Sequence, residues 1–233
     1  MSLRSVLLGL AIAGLSCLSG VSADTLLKGT LGNMPITMYQ RPHNEVMYGV
    51  YFYDRHRTPI RLKPTFVNAE PYYYAFDELD SQGLPVARLR VDSSFYTEKV
   101  GPNQVKRTTA GTWQDYRTGK RLRMNLQVMG MLFIDSAEPG PAMPALQAAS
   151  TKDHYFQVPM TTYRDYVKAV EVMSKKTGLL VQTLVIPGCL YEGIDTVRVV
   201  VKQGVERLEV GDKRYCLSPS FTWDAKAGEY RVH

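Results

Sequence analysis

From Ile36 to Val128 the chain runs in short stretches in which alternate residues are apolar, and each stretch ends in a cluster of turn-forming residues. Ile36, Met38 and Gln40 alternate with Thr37 and Tyr39; Tyr48, Val50 and Phe52 alternate with Gly49, Tyr51 and Tyr53. The polar segment Asp54-Arg55-His56-Arg57-Thr58-Pro59 reads as a turn, after which Ile60 and Leu62 oppose Arg61 and Lys63. The aromatic-rich stretch Tyr72 to Phe76 passes through Ser81-Gln82-Gly83 into Val86–Val91. Phe95–Val100 turns at Gly101-Pro102-Asn103, and Val105–Trp113 pairs with Leu122–Val128 around Asp115–Gly119. Successive side chains of an extended chain point to opposite faces, so a period of two is the pattern of a half-buried strand. Turns at this spacing predict an antiparallel meander that curls into a barrel or sandwich. No helix is expected before Leu146.

The pattern breaks at Ser136 to Ser150, SAEPGPAMPALQAAS, which has three prolines, five alanines and no apolar period. It reads as a Pro/Ala-rich linker. The expected organisation is a leader at 1–23, a β-barrel or sandwich at 24–135, a linker at 136–151 and a second module at 152–233. In that module His154–Met160 reads as a strand. Thr162 with Asp165 resembles a capping box. Tyr163, Tyr166, Val167, Val170 and Met173 then fall at helical spacing, Lys175 and Lys176 sit in the last turn, and Gly178 ends it. Strands are expected at Leu179–Ile186, Thr196–Lys202, Val205–Val210, Lys213–Leu217, Phe221–Trp223 and Tyr230–Val232. The class is therefore mainly β, with a C-terminal α+β module of one helix on an antiparallel sheet.

The N-terminus indicates an address. Arg4, the apolar run Val6 to Leu18 and the small residues Val21-Ser22-Ala23 form the three parts of a secretory signal, with cleavage expected before Asp24. Two alternatives stand beside it. One is a membrane anchor, although the run is shorter than the roughly 20 apolar residues a spanning helix needs. The other is acylation at Cys17, although Gly14-Leu15-Ser16 fits that motif poorly. Removing the leader takes one arginine and no acid from 28 Lys+Arg and 22 Asp+Glu, which leaves a net charge of +5. Such a modest surplus suits acidic partners but is not the footprint of a dedicated nucleic-acid binder. Two cysteines remain, Cys189 and Cys216, an even number that argues for one disulfide in an oxidising compartment, with two buried thiols as the alternative. Without a CxxC motif, redox catalysis is a poor reading.

Reactive constellations are sparse. His43, His56, His154 and His233 stand in none of the spacings typical of metal sites, and only His43 with His56 were candidates to meet from separate loops. There is no GxSxG or SxxK around a serine; Ser93-Ser94 reads as a turn. Glu78 and Asp80 form a carboxylate pair on paper, but Ser81-Gln82-Gly83 marks a hairpin there. No glycine-rich loop opens a helix, so no nucleotide is expected, and with the histidine spacings above neither a metal nor another cofactor is expected. Two features suit binding. Tyr72, Tyr73 and Tyr74 cannot all face one core, so one or two should point outward or into a barrel mouth, unless the strand is buried on both faces. Lys106, Arg107, Arg117, Lys120, Arg121 and Arg123 surround Trp113 and Tyr116 on a basic hairpin, whose ordinary reading is a solvated face with Leu122 and Met124 inward.

Several short motifs recur in order: Gly49-Val50-Tyr51-Phe52-Tyr53, Ile60-Arg61-Leu62, Glu78-Leu79-Asp80-Ser81-Gln82-Gly83, Gly111-Thr112-Trp113 and Lys120 to Leu126. In this order they resemble a type of secreted bacterial β-barrel-like domain. The likeness covers under half of the chain and departs at Pro64, where that type carries a glycine. It implies a barrel-like domain behind a signal peptide and implies no activity.

The leading expectation is an exported, non-enzymatic binding protein of the bacterial envelope, one form of which is an inhibitor or immunity protein for an envelope-active enzyme. Its partner would be another envelope or secreted protein, with no nucleic acid and no transmembrane span after processing. The alternatives are an envelope assembly factor touching anionic surfaces through the basic hairpin, and a periplasmic hydrolase whose residues meet only in three dimensions.

Overall fold

The computed structural model describes residues 23–43, 46–65, 73–80, 82–102, 104–133, 139–162, 166–212, 214, 216–217 and 219–232. Nine strands form the first half: β1 (Ala23–Leu31), β2 (Met34–His43), β3 (Val46–Tyr53), β4 (Ile60–Thr65), β5 (Tyr73–Leu79), β6 (Pro85–Asp92), β7 (Tyr96–Gly101), β8 (Gln104–Asp115) and β9 (Arg121–Phe133). Their order is β6-β5-β4-β3-β2-β1-β9-β8-β7, and β6 also pairs with β8. That extra pairing closes an eight-stranded antiparallel barrel and removes its free edges. β8 is shared: Gly111–Asp115 pairs with β6, while Gln104–Thr108 pairs with β7. The β7 half therefore stands out from the barrel as a two-stranded ribbon.

Alternation fills the barrel. Leu27, Leu31, Ile36, Met38, Tyr51, Leu62, Phe76, Leu89, Met124 and Leu126 form one buried cluster inside it. Burying each large side chain contributes on the order of 1.5–3 kcal/mol. Glu78 also points inward, where its Oε2 accepts hydrogen bonds from Tyr51 OH at 2.7 Å and Trp113 Nε1 at 2.9 Å. Burial and the neighbouring carboxylate hold the Tyr51 phenol far above its ordinary pKa, so it stays a donor. At Gly111 a Cβ would sit 2.4 Å from the Arg90 carbonyl oxygen. Only glycine lets β8 approach β6 this closely at the seam.

The second half is two antiparallel sheets. One has the order β10 (Met143–Ser150), β11 (His154–Met160), β12 (Tyr166–Ser174), β13 (Leu180–Leu190); the other has β14 (Val197–Lys202), β15 (Val205–Val210), β16 (Ser220–Asp224), β17 (Glu229–Val232). Phe156, Val158, Val170, Val172, Leu184 and Ile186 share one core with Val197, Leu208, Val210, Phe221 and Tyr230. The same core takes in Leu26, Tyr39, Val50, Phe52 and Leu132 from the outside of the barrel, and the Phe52 and Tyr155 rings lie 5.2 Å apart.

Two expectations are corrected here. Of the residues expected to form a helix after Thr162, Tyr166–Ser174 form β12 instead, Tyr163 and Asp165 lie outside the described residues, and the described residues hold no α-helix. β-branched Val167, Val170 and Val172 favour a strand. A bulge between Val167 and Ala169 shifts the inward parity by one, which imitates the three-to-four spacing of a helix. The stretch 136–151, expected as a linker, contains β10 from Met143 onward. Met143, Ala145 and Leu146 are buried there between barrel and sandwich, where the small Ala145 lets the two layers approach.

Cys189 ends the core face of β13 and Cys216 lies on the connection from β15 to β16, not in the strand expected at 213–217. Their Cα atoms are 5.1 Å apart, a disulfide distance. Gly211 lies against the pair with φ +71°, and a Cβ there would come within 2.8 Å of Cys216 Sγ. Among the described residues no helix is long and apolar enough to cross a membrane.

Candidate binding site

The outer wall of the barrel at β6, β8 and β9 carries an ordered set of cations. Across the three strands Arg90 pairs with Thr112, which pairs with Arg123. Two residues along, Arg88 pairs with Gln114, which pairs with Arg121. Four arginines thus stand at the corners of a rectangle over a floor of Thr112 and Gln114. Strand spacing places the two walls about 10 Å apart and the two rows about 7 Å apart. The cleft between them measures about 630 Å³ and is lined also by Tyr73, Asp92, Tyr116 and Asn125.

The positions of these side chains follow from local pattern. In β9, Leu122, Met124 and Leu126 belong to the interior cluster, so Arg121, Arg123 and Asn125 face out and are exposed. In β6, Ala87, Leu89 and Val91 are buried, so Arg88 and Arg90 face out. Arg88 is held upright: its Nε donates to Asp77 Oδ1 at 3.1 Å, and its guanidinium lies over the Tyr116 ring at 5.7 Å. Tyr116 OH donates to the same Asp77 oxygen at 2.6 Å. The hydrogen bond to Asp77 raises the Arg88 pKa further, so its charge is fixed at any physiological pH.

A second cleft, about 590 Å³, continues the first and shares Asp92, Ala110 and Asn125 with it. Its row is Tyr96, Thr108, Gln127 and Lys28, joined by successive pairing across β7, β8, β9 and β1. Lys106 and Ser94 also line it.

The sequence candidates are distributed unevenly over this geometry. Arg121, Arg123, Tyr73 and Tyr116 meet in the groove, with Tyr73 43% and Tyr116 45% exposed. Trp113 does not join them: it points into the barrel toward Glu78. Tyr74 packs against the interior cluster, and burial raises its pKa. Tyr72, Cys17, His233 and the leader up to Ser22 lie outside the described residues. Arg107 turns to the other face of the ribbon, where it contacts Met131 Sδ at 3.6 Å. Glu78 and Asp80 part company, since Asp80 Oδ1 accepts the backbone N–H groups of Gln82 and Leu84 in the turn. His43 and His56 lie at opposite ends of β3, and His154 stacks on Trp223 at 4.7 Å. Among the described residues no three His, Cys, Asp or Glu side chains gather as metal ligands. Arg88 and Arg90 were missed. The run Ala87-Arg88-Leu89-Arg90-Val91 signals their shared face, but only the β6–β8 closure brings them opposite Arg121 and Arg123.

A third cleft, about 490 Å³, opens where the barrel meets the sandwich, between Arg41, His43, Tyr48, Tyr191, Glu192 and Asp195. Its charges serve internal contacts. Arg41 Nη1 donates to Asp24 Oδ2 at 2.7 Å, and its guanidinium covers the Tyr191 ring at 4.5 Å. Tyr39 OH donates to the same carboxylate at 2.5 Å and lies 2.8 Å from Tyr191 OH. Asp195 is ion-paired with Arg61. Asp24 is fully buried, and its Oδ1 has no hydrogen-bond partner among the described residues. Burial outweighs Arg41 and pushes its carboxyl up to about 6. This is a structural joint in which buried charges tie β1 and β2 to the sandwich.

No family model, no curated protein and no solved structure matches the chain, so the site rests on its own geometry.

Proposed function

We propose that the chain is an exported, non-enzymatic binding module of a bacterial envelope, and that it holds an anionic partner in the arginine-lined groove over β8. The observation that carries this reading is the rectangle of Arg88, Arg90, Arg121 and Arg123 around Thr112 and Gln114. A guanidinium presents five N–H donors in a planar fork that matches carboxylate, phosphate or sulfate. It keeps its proton at neutral pH, so four of them equip a surface for recognition and not for proton transfer. The floor and walls belong to three hydrogen-bonded strands of a closed barrel, which limits the ordering cost of binding. The barrel interior is filled with apolar side chains while these arginines face outward, the inverse of a bilayer-spanning barrel with a polar lumen.

Export is supported by the Arg4, Val6–Leu18 and Val21-Ser22-Ala23 layout and by the Cys189–Cys216 pair. Inhibition of an envelope enzyme through an acidic patch on its surface is one form the function takes; contact with an anionic wall component is another.

Calorimetric titration with inorganic tripolyphosphate, a compact multivalent anion, tests the reading. Saturable binding is expected that weakens as salt rises. The double variant R121A/R123A should bind roughly tenfold or more weakly, because charge-assisted hydrogen bonds are lost. Equal binding by the variant, or none by the wild type, overturns it.

A further inference from the structure

The two clefts over β8 form one track, and its shape and chemistry narrow the ligand. We infer that the groove takes a linear acidic polysaccharide, laid along β8 from the Gln114 end to Lys106; this rests on the binding reading above. The floor runs through Gln114, Thr112, Ala110, Thr108 and Lys106, the outward residues of one continuous strand. At about 3.4 Å per residue that floor is roughly 27 Å long. A compact anion would occupy one row of arginines and leave the rest of the track unused.

Charge follows the track. Arg88 and Arg121 flank its first row, Arg90 and Arg123 its second, and Lys28 and Lys106 its far end. One carboxylate, Asp92, lies between the two sets, and Glu98 faces Lys106 across the ribbon. Cations recurring along a strand fit a chain with recurring anionic groups. The spaces between them carry neutral donors and acceptors, namely the Thr108 and Thr112 hydroxyls and the Gln114, Asn125 and Gln127 amides. Such groups hydrogen-bond the hydroxyls of sugar units. Three tyrosines stand along the track: Tyr116 at one end, Tyr73 beside the middle, and Tyr96, 72% exposed, at the other end. Tyr73 and Tyr96 each offer an apolar ring face for a pyranose and a hydroxyl for its edge, whereas Tyr116 has Arg88 over its ring and donates its hydroxyl to Asp77. An acidic peptide could meet the hydroxyl and amide positions with its backbone N–H and C=O groups but carries no pyranose faces for the exposed tyrosine rings, and a planar lipid surface would not reach the floor between the two walls.

Affinity should be measured with the protein against uronic-acid oligosaccharides of increasing length and sulfated oligosaccharides. Neutral oligosaccharides, polyglutamate and single-stranded DNA of matched length serve as the comparison arms. Affinity is expected to rise with chain length until the track is spanned and then to level off. Neutral chains should not bind, and polyglutamate and DNA should bind roughly tenfold or more weakly than the best acidic oligosaccharide. K28A/K106A should remove the gain with length while leaving the shortest oligomers unaffected, and R121A/R123A should weaken every length; circular dichroism confirms that both variants are folded.

Affinity that does not depend on length, but falls in R121A/R123A, overturns the polymer track and leaves the anion-binding reading standing. Equal or tighter binding of polyglutamate or DNA overturns the sugar assignment. Binding unchanged in R121A/R123A, or absent for every probe including tripolyphosphate, overturns both.

Discussion

The outer wall of one barrel shows two opposite uses. On β2 and β3, Tyr39, Val50 and Phe52 face outward and are covered by the sandwich through Tyr155 and the β10 layer. On β6, β8 and β9 the outward positions in the groove are mostly arginine, threonine, glutamine and asparagine, and among the described residues no layer covers them. The inward positions are apolar in both regions. The difference teaches where to look for function. A strand apolar on both faces is spent on packing, whereas a strand with an apolar inner face and ordered cations outside has a surface available for a ligand.

The largest expected effect lies on the covered side. Phe52→Ala removes a nearly fully buried ring from the joint and should destabilise the protein by about 3–5 kcal/mol. Urea denaturation measures it. A cost below about 1 kcal/mol would mean that the sandwich does not cover this face as described.

Next is the staple that holds the covering layer. Cys189 and Cys216 are separated by 27 positions, and in the chain-entropy model closing such a loop contributes about 3–4 kcal/mol. C189A/C216A should lower the midpoint of sandwich unfolding more than that of the barrel, followed by near-ultraviolet signals from Trp223 and Trp113 respectively. Equal losses at both would show that the two regions unfold as one unit.

These contrasts were partly legible in the amino-acid pattern. Alternation in Leu122-Arg123-Met124 places the arginines outside without any structure, and Tyr48 to Tyr53 reads as a strand, although its pattern does not say that a second layer covers its outer face. Closure of β6 on β8 was not legible, because pairing is non-local and no short segment encodes its partner. Half of the rectangle was missed for that reason. β12 was hidden by its bulge, which breaks strand parity at Ala169. β10 was hidden by composition, since alanine and proline mark a linker unless a second layer lies close enough to bury them. Asp24 marked only a cleavage boundary in the sequence; its role at the joint needs Arg41 and Tyr39 beside it.

That joint gives a smaller effect with a defined sign. Asp24 titrates near 6 in the folded protein, above the ordinary value of 3.8. Between these two values the folded state holds a proton that the unfolded state has lost. The contribution is therefore fully present below about pH 4 and is lost as pH rises through about 6, on the order of 1–3 kcal/mol. Asp24→Asn should abolish that part of the pH dependence in denaturation midpoints measured from pH 4 to 7. A variant with the same profile as the wild type would place the titration elsewhere.

The smallest expected stability effect is on the open side. Arg121 and Arg123 are exposed, so replacing each with alanine should stay within about 0.5 kcal/mol of neutral. A larger loss would make these side chains part of the packing and would erase the contrast with Phe52.

The most direct measurement maps where a ligand sits. Backbone amide shifts should be recorded by NMR as a long uronic-acid oligosaccharide is added to the protein. The account expects the perturbed amides to cluster on β6, on β8 from Lys106 to Gln114, and on β9 from Arg121 to Gln127, with β2 and β3 unmoved. Shifts centred instead on Arg41, His43, Tyr48, Tyr191 and Glu192, or no shifts at all, would contradict it.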